Sequence, residues 1–145
     1  MALWATQQLL PLVPGGEFAR GLAQGRSAAL NLDRKLREDQ TGRFQPFAAG
    51  APELDIVVWK LRAKTAEEAS ELAQRVFVAC AARDLHLALV QLPQLWFEPE
   101  GCAEPGAGDG VVTCLRSVLM KPEHEAWLDR IWERLTAATA EVMGE

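Results

Sequence analysis

The segment from Pro52 to Arg62 constrains the fold of this chain more than any other stretch. Its centre, Ile56-Val-Val-Trp59, is apolar at every position and mostly β-branched, a pattern that predicts a strand buried on both faces. Helical spacing of apolar residues precedes this strand, and helical and strand-like patterns alternate after it. The sequence therefore indicates a small α+β domain organised around this segment.

Length and charge set broad limits on what the chain can be. Its 145 residues fit one domain with one core, and we interpret residues 1–145 as that domain. The net charge is −5 and the arginines are scattered, which argues against a surface for nucleic acid or anionic membrane, because both require a basic patch. We expect no signal peptide, because the first residues lack a basic region and a long apolar run, and no stretch is long and apolar enough to cross a bilayer. We expect a cytoplasmic protein without nucleic-acid or membrane partners.

The side chains that usually form metal or catalytic sites do not cluster in the sequence. The chain has three cysteines, Cys80, Cys102 and Cys114, and no Cys-x-x-Cys motif. We therefore expect reduced thiols rather than a disulfide framework or a zinc site. His86 and His124 stand apart from any metal-ligand pattern, and we interpret both as structural. No serine has a nucleophile elbow around it, so the sequence predicts no catalytic residue. Together with the isolated cysteines and histidines, this predicts no metal site either.

Residues 1–50 are expected to form two connecting helices. The first spans Leu3 to Leu10 and ends at a stretch rich in proline and glycine, and the second spans Glu17 to Asp39. Gly21 and Gly25 weaken the second helix by about 1 kcal/mol each relative to alanine. The segment that follows, up to Pro52, is expected to be a loop or the edge of a sheet.

Residues 51–145 are expected to form an α/β unit with three strands. After the first strand, Thr65-Ala-Glu-Glu68 indicates a capping box that begins a helix. Further strands are expected at Leu87–Leu92 and Val111–Met120, and a last helix is expected to begin at Pro122. The third strand can lie between the other two, antiparallel to both, as in a split β-α-β unit. Helices would cover one face of this mainly antiparallel sheet, and its other apolar face would need another layer or a partner.

An acidic segment, residues 93–110, separates the second and third predicted strands. It contains three prolines and four glycines, so we expect a long, mobile and solvated loop, and residues 97–110 have no assigned role. Residues 106–110 resemble a phosphate-binding loop only superficially, because no strand leads directly into them and no helix follows.

Arg116 is the one candidate site residue. It lies in the middle of the strand Val111–Met120, where a charged side chain must find a partner because an unpaired buried charge is very costly. In one interpretation its guanidinium clamps a carboxylate of a ligand. In the other it forms a structural salt bridge, or its charged end reaches out of the sheet to water.

Six stretches spread over almost the whole chain share an order and spacing with one protein family: Ala2–Thr6, Gly16–Arg20, Leu36–Asp39, Arg43-Phe44, Pro52–Arg62 and Cys114–Pro122. Pro52–Arg62 resembles the strand that opens the C-terminal small domain of pyridoxal-phosphate-dependent (group II) amino-acid decarboxylases. Cys114–Pro122 resembles the Leu-Arg strand before their last helix, and Ala2–Thr6 resembles the Leu-Trp helix that follows their cofactor-binding region. The resemblance implies fold type I, in which a large domain holds the cofactor and a small C-terminal domain closes over the site.

The family's catalytic equipment does not map onto this sequence. The resemblance assigns the Schiff-base lysine, the aspartate facing the pyridine nitrogen and the phosphate cradle to the large domain. None of the four lysines, Lys35, Lys60, Lys64 and Lys121, follows a histidine as in the family's lysine motif. Ala2 stands where the family has a basic residue, and the acidic loop resembles an insertion. We therefore expect no residue here to bind pyridoxal phosphate, and no catalysis by this chain alone.

Three functional hypotheses remain open from the sequence. The chain is one part of a split decarboxylase that a separate cofactor-binding large-domain chain completes, with Arg116 facing a substrate or structural carboxylate. Alternatively it is a non-catalytic homodimeric interaction or scaffold module, because Trp4, Leu9 and Leu10 offer apolar surface that normally acquires a partner. The third hypothesis is that the chain is a truncated gene product. A homo-oligomer is expected.

Overall fold

The computed structural model describes residues 2–48, 50–97 and 110–144. Its elements in chain order are α1 (Ala2–Leu9), α2 (Glu17–Glu38), β1 (Phe44–Pro46), β2 (Ile56–Leu61), α3 (Ala66–Ala81), β3 (Ala88–Pro93), a 3-10 helix (Gln94–Phe97), β4 (Val111–Val118), α4 (Glu123–Ala126) and α5 (Leu128–Met143). The α+β class is confirmed, and the two helices ahead of the main strands match the predicted Leu3–Leu10 and Glu17–Asp39 to within one residue at each end. Within the described residues, none of the helices combines the length and hydropathy that a membrane crossing requires.

The strands form one antiparallel sheet in the order β1-β2-β4-β3. Strand β4 lies between β2 and β3 and is antiparallel to both, which confirms the split β-α-β arrangement. The predicted count of three strands is wrong, because β1 adds a fourth strand at the edge beside β2. Strand β1 has only three residues and ends at Pro46, so it is too short to show the period-two pattern of a strand and suits only an edge.

The main core lies between one face of the sheet and helices α2, α3 and α5. Alternate residues of β2, namely Val57, Trp59 and Leu61, belong to this core, and Trp59 has no exposed surface. The helices contribute small and branched side chains: Ala28, Ala29, Leu32 and Leu36 from α2, Ala73, Val76 and Cys80 from α3, and Leu128, Leu135 and Ala138 from α5. The three helices therefore form the layer that covers this face.

Helix α3 begins with the predicted Thr65 cap. The Thr65 hydroxyl accepts a hydrogen bond from the backbone N–H of Glu68 at 3.1 Å. The Glu68 carboxylate reaches back to the N–H of Lys64 at 2.9 Å, one residue before the Thr65 N–H that a capping box uses. Both bonds fix the direction in which the chain leaves β2 and enters α3.

Two parts of the chain differ from their predicted form. Pro93 ends β3 and the next four residues form the 3-10 helix, because Phe97, only 2% exposed, anchors them to the sheet. The rest of the predicted acidic loop, residues 98–109, lies outside the described residues. The single C-terminal helix expected from Pro122 is two helices separated at Trp127, whose backbone angles (φ −93°, ψ 2°) depart from the helical region.

Candidate functional site

The face of the sheet opposite the helix layer is called here the open face. Its residues alternate with those of the core: Ile56, Val58 and Lys60 of β2, Cys114, Arg116 and Val118 of β4, and Ala88, Val90 and Leu92 of β3. Ile56 and Val118 are cross-strand partners, and they remain 40% and 36% exposed. Apolar side chains therefore reach solvent on this face, as the sequence predicts.

A small aromatic cluster covers one end of the open face. Phe97 belongs to a buried cluster with Cys114, against which Val58 also packs. The ring of Phe47 meets the rings of Trp96 and Phe97 edge-on, with centroids 5.7 and 5.9 Å apart. These contacts hold the 3-10 helix against the sheet, where it forms the border of the exposed part of the open face.

A cavity of about 400 Å³ lies beside this border. Its apolar walls come from Ile56 and Val58 of β2, from Leu92 of β3, and from Trp96, while residues 50–53 close one side. A concave, mostly apolar surface of this size suits a small molecule or a cluster of side chains from a partner. The cavity makes the open face the best candidate for a functional site.

Arg37 of α2 holds the loop that borders the cavity. Its guanidinium donates to the backbone carbonyls of Phe47 at 2.9 Å and of Gly50 at 3.1 Å. The same group pairs with Asp33 one helical turn earlier, at 2.7 and 3.0 Å, and this aspartate is only 7% exposed. A charge-assisted pair of this kind fixes the planar guanidinium in place. Sequence reasoning missed this role, although the i,i+4 spacing of the pair was a visible signal.

Arg116 lies on the open face, at the centre of the sheet. Val58 flanks it on one side and Ala88 on the other. The residue is half-buried, and its Nε atom is buried without a hydrogen-bond acceptor among the described residues. No carboxylate of those residues lies within salt-bridge distance of the guanidinium, so both interpretations of Arg116 stay predictions.

Lys60 is a second cation on the open face, which the sequence analysis did not single out. It is only 8% exposed, and its Nζ atom lies 5.6 Å from the centroid of the Phe97 ring. Its neighbour Cys114 has no exposed surface, and burial raises the pKa of the Cys114 thiol to about 12, although the Lys60 charge works in the opposite direction. Cys114 is therefore an inert thiol on this face.

The remaining residues considered from the sequence do not assemble a reaction centre within the described part of the chain. The Ser70 hydroxyl donates to the carbonyl of Ala66 and accepts from the N–H of Thr113, which is a structural role. His86 and His124 lie away from the open-face cavity, beside the junction of α4 and α5. Residues 2–48, 50–97 and 110–144 contain no group of three or more potential metal ligands.

The four lysines do not fit pyridoxal phosphate at the open-face cavity. None of them lines it. Lys35 pairs with Asp129 at 3.0 Å, Lys60 lies against Phe97, Lys64 is exposed, and Lys121 lines a different groove. An imine with the cofactor requires an amine inside the binding cavity. No lysine amine therefore lies among the residues that line this cavity, although Lys60 lies elsewhere on the open face.

Comparison with solved structures identifies the fold. TDC from Oryza sativa, in complex with PLP and tryptamine, superposes with a TM-score of 0.67 at 17% identity, over 97% of this chain and 26% of that chain. Tryptophan decarboxylase from Catharanthus roseus, in complex with L-tryptophan, gives 0.64 at 14% identity, over 97% and 25%. Mouse CSAD in apo form gives 0.61 at 15% identity, over 94% and 26%.

These similarities define the architecture. The chain has the fold of one part of pyridoxal-phosphate-dependent amino-acid decarboxylases, and it spans about a quarter of the length of these structures. No protein-family model and no curated protein sequence matches it. At these sequence identities the likeness establishes the fold alone.

Proposed function

We propose that this chain is the C-terminal small domain of a split, pyridoxal-phosphate-dependent amino-acid decarboxylase of fold type I. The cofactor lysine and phosphate cradle would belong to a separate large-domain chain that docks on the open face. The observation that carries this proposal is the open face itself, where exposed Ile56 lines a mostly apolar cavity and is paired with exposed Val118 of β4. In the similar solved structures, about three quarters of the chain lies outside the matched part, which is enough to supply such a covering domain.

Arg116 would act at the joint between the two chains. Its buried Nε has no acceptor among the described residues, and docking of a second domain can supply a carboxylate, either from the substrate or from the partner. A guanidinium donates two parallel hydrogen bonds to a carboxylate, so Arg116 would orient that group. The chemistry at the amino acid would belong to the cofactor and the large domain, and this chain would contribute orientation and exclusion of water.

Copurification from the source organism tests the proposal. We expect a tagged copy of the chain to recover a second polypeptide that carries pyridoxal absorbance, and the mixture to release carbon dioxide from an amino acid. Recovery of the chain without such a partner would contradict the proposal. Carbon dioxide release by the purified chain alone would also contradict it, because this chain would then hold a complete reaction centre.

A second candidate function, a homodimeric interaction or scaffold module, is favoured by apolar surface at the N-terminal end. Trp4 and Leu9 of α1 are 66% and 80% exposed, and Leu12, Val13 and Leu22 are also exposed. Such a patch on an isolated protein normally marks an interaction site. Light scattering at increasing concentration tests this candidate. A dimer that Leu9→Glu and Leu12→Glu dissociate would support it, whereas a monomer at every concentration would rule it out.

A further inference from the structure

A second groove lies beside the α4–α5 junction and has a volume of about 540 Å³. The turn after α3 contributes Asp84 and His86, and the segment after β4 contributes Lys121. Arg130 and Arg134, one turn apart on α5, complete the charged part of the lining.

The groove concentrates positive charge in a protein whose net charge is −5. Lys121, Arg130 and Arg134 share the lining with a single carboxylate, that of Asp84, while Glu133 lies with both arginines in an adjoining depression. Within the described residues none of the three cations forms a salt bridge, and Arg134 donates instead to the backbone carbonyl of Asp84 at 3.1 Å. Elsewhere the cations of Arg34, Lys35, Arg37 and Arg83 are paired with carboxylates. The unpaired charges of the groove favour an anion.

The rest of the groove lining is mostly apolar. Trp127 and Met120 are 49% and 66% exposed, and Val118 and Ile131 complete this side. An indole with half of its surface in water is a ready stacking partner for an aromatic ring. A ligand that occupies the whole groove therefore combines an anionic group with an apolar body.

His124 supplies an independent sign that the groove is incomplete without a ligand. Its Nδ1 atom is buried and has no hydrogen-bond partner among the described residues, although its ring lies near Trp127, with centroids 6.1 Å apart. Buried polar atoms in proteins are nearly always paired with protein, water or ligand. His124 thus adds to the groove lining a buried polar atom that has no partner among the described residues.

We propose that this groove is a binding site for a small organic anion with an aromatic body, held by Lys121, Arg130 and Arg134 at its charged end and by Trp127 at its apolar end. Guanidinium and ammonium groups recognise carboxylate and phosphate oxygens alike, so the charged end defines the shared chemistry. The site does not involve the cofactor or the open-face cavity, and it shares only Val118 with the open face on which the partner chain would dock. Its existence can therefore be tested whether or not the proposed function holds.

The test is calorimetric titration of the full chain with phenyl phosphate and with benzoate, which separate a phosphate from a carboxylate ligand. Inorganic phosphate and phenol serve as the charge-only and ring-only probes. We expect saturable binding of at least one of the two aromatic anions. Inorganic phosphate and phenol should each bind roughly tenfold more weakly, because each makes only part of the contacts.

Two variants assign the site. Arg130→Gln and Lys121→Gln should each weaken binding of the aromatic anion roughly tenfold, the loss of one charge-assisted hydrogen bond. Arg62→Gln, which removes the same charge from an exposed position outside the groove lining, is the matched control and should change the affinity by less than about twofold. An absence of saturable binding, an equal effect of all three variants, or phenol binding as tightly as the anions would each overturn the proposal.

Discussion

Arg116 lies in the middle of β4 between Val58 and Ala88, and its Nε is buried without an acceptor among the described residues. A buried donor without an acceptor costs about 1–3 kcal/mol. We therefore expect Arg116→Met to leave the free energy of unfolding of the chain unchanged or to raise it by about 1 kcal/mol. Urea denaturation followed by circular dichroism measures the change.

Arg37→Met is the matched comparison, because it removes an arginine whose contacts are complete. Asp33 would lose two hydrogen bonds in a buried position, so the free energy of unfolding should fall by about 1–3 kcal/mol. A loss of similar size in Arg116→Met would contradict the first expectation and would favour a structural salt bridge for Arg116 over a carboxylate clamp.

The two buried thiols make stability depend on pH in the alkaline range. Burial raises the pKa of Cys80 to about 11 and that of Cys114 to about 12, against an ordinary value of 9.0, and nearby Arg83 and Lys60 only partly oppose this. Because the folded-state pKa values are raised, the stability that the neutral thiols contribute is complete below pH 9. It is lost as the pH rises toward the folded-state values.

We therefore expect the free energy of unfolding to decline between about pH 9 and pH 11, as the unfolded chain gains thiolates. The chain has no tyrosine, so cysteine and lysine are its main titrating groups in this range. A Cys80→Ala/Cys114→Ala variant keeps the lysine contribution and should show a shallower decline. Equal slopes in denaturation curves recorded across this range would refute the assignment.

Single residues were predictable where a local pattern decides burial. The apolar run Ile56–Trp59 predicts that Trp59 is buried, and the structure confirms this. The burial of Lys60 was not predictable, because it depends on the Phe97 ring, which a distant segment brings over the sheet. The role of Arg37 was not predictable for the same reason, because it depends on the carbonyls of Phe47 and Gly50, which lie in a different segment.

Gly25 lowers the helix propensity of α2, yet the packing of this helix against the segment after β4 requires a residue without a side chain there. A Cβ atom at Gly25 would lie 2.8 Å from the carbonyl oxygen of Leu119, a backbone atom that cannot easily move. Alanine would raise the intrinsic helix propensity by about 1 kcal/mol, but the clash opposes this gain. We expect Gly25→Ala to lower the free energy of unfolding by about 1–3 kcal/mol in thermal or urea denaturation.

Gly21→Ala is the control on the same helix. There the nearest atom is Cγ of Pro122 at 3.4 Å, an ordinary contact distance. This variant should be as stable as the natural sequence or more stable by up to about 1 kcal/mol. If both alanines stabilise α2, the close approach to Leu119 does not constrain the helix.

Elements with a long repeating pattern were predictable, and short ones were not. The predicted range for α2 differs from the observed Glu17–Glu38 only at its last residue, since an apolar stripe recurs over several turns. Strand β1 and the 3-10 helix have three and four residues, so neither shows a full period. Tertiary contacts decide both, through pairing with β2 and through burial of Phe97.

At the scale of the whole molecule, the helix layer leaves one side of the sheet incompletely covered. The sequence predicts this, because apolar residues occupy successive positions of β2 and would reach both faces. It does not predict the cavity, which arises only when β2, β3, the 3-10 helix and residues 50–53 come together. The same holds for the second groove, whose lining comes from the turn after α3, the segment after β4 and helix α5.

The split-enzyme proposal makes the open face the docking surface, so a charge placed there should prevent assembly without unfolding the chain. Ile56 is 40% exposed at the end of β2, and Ile56→Glu would bury a carboxylate only when a partner covers it. Capture of the cofactor-bearing polypeptide should fall at least tenfold, which corresponds to about 1.4 kcal/mol.

Val78→Glu is the matched control, because Val78 is 65% exposed on α3, away from the open face. Both variants should keep the circular dichroism spectrum of the unmodified chain. Equal capture by Ile56→Glu and by the unmodified chain would place the partner elsewhere, and equal loss in both variants would remove the case for a specific surface.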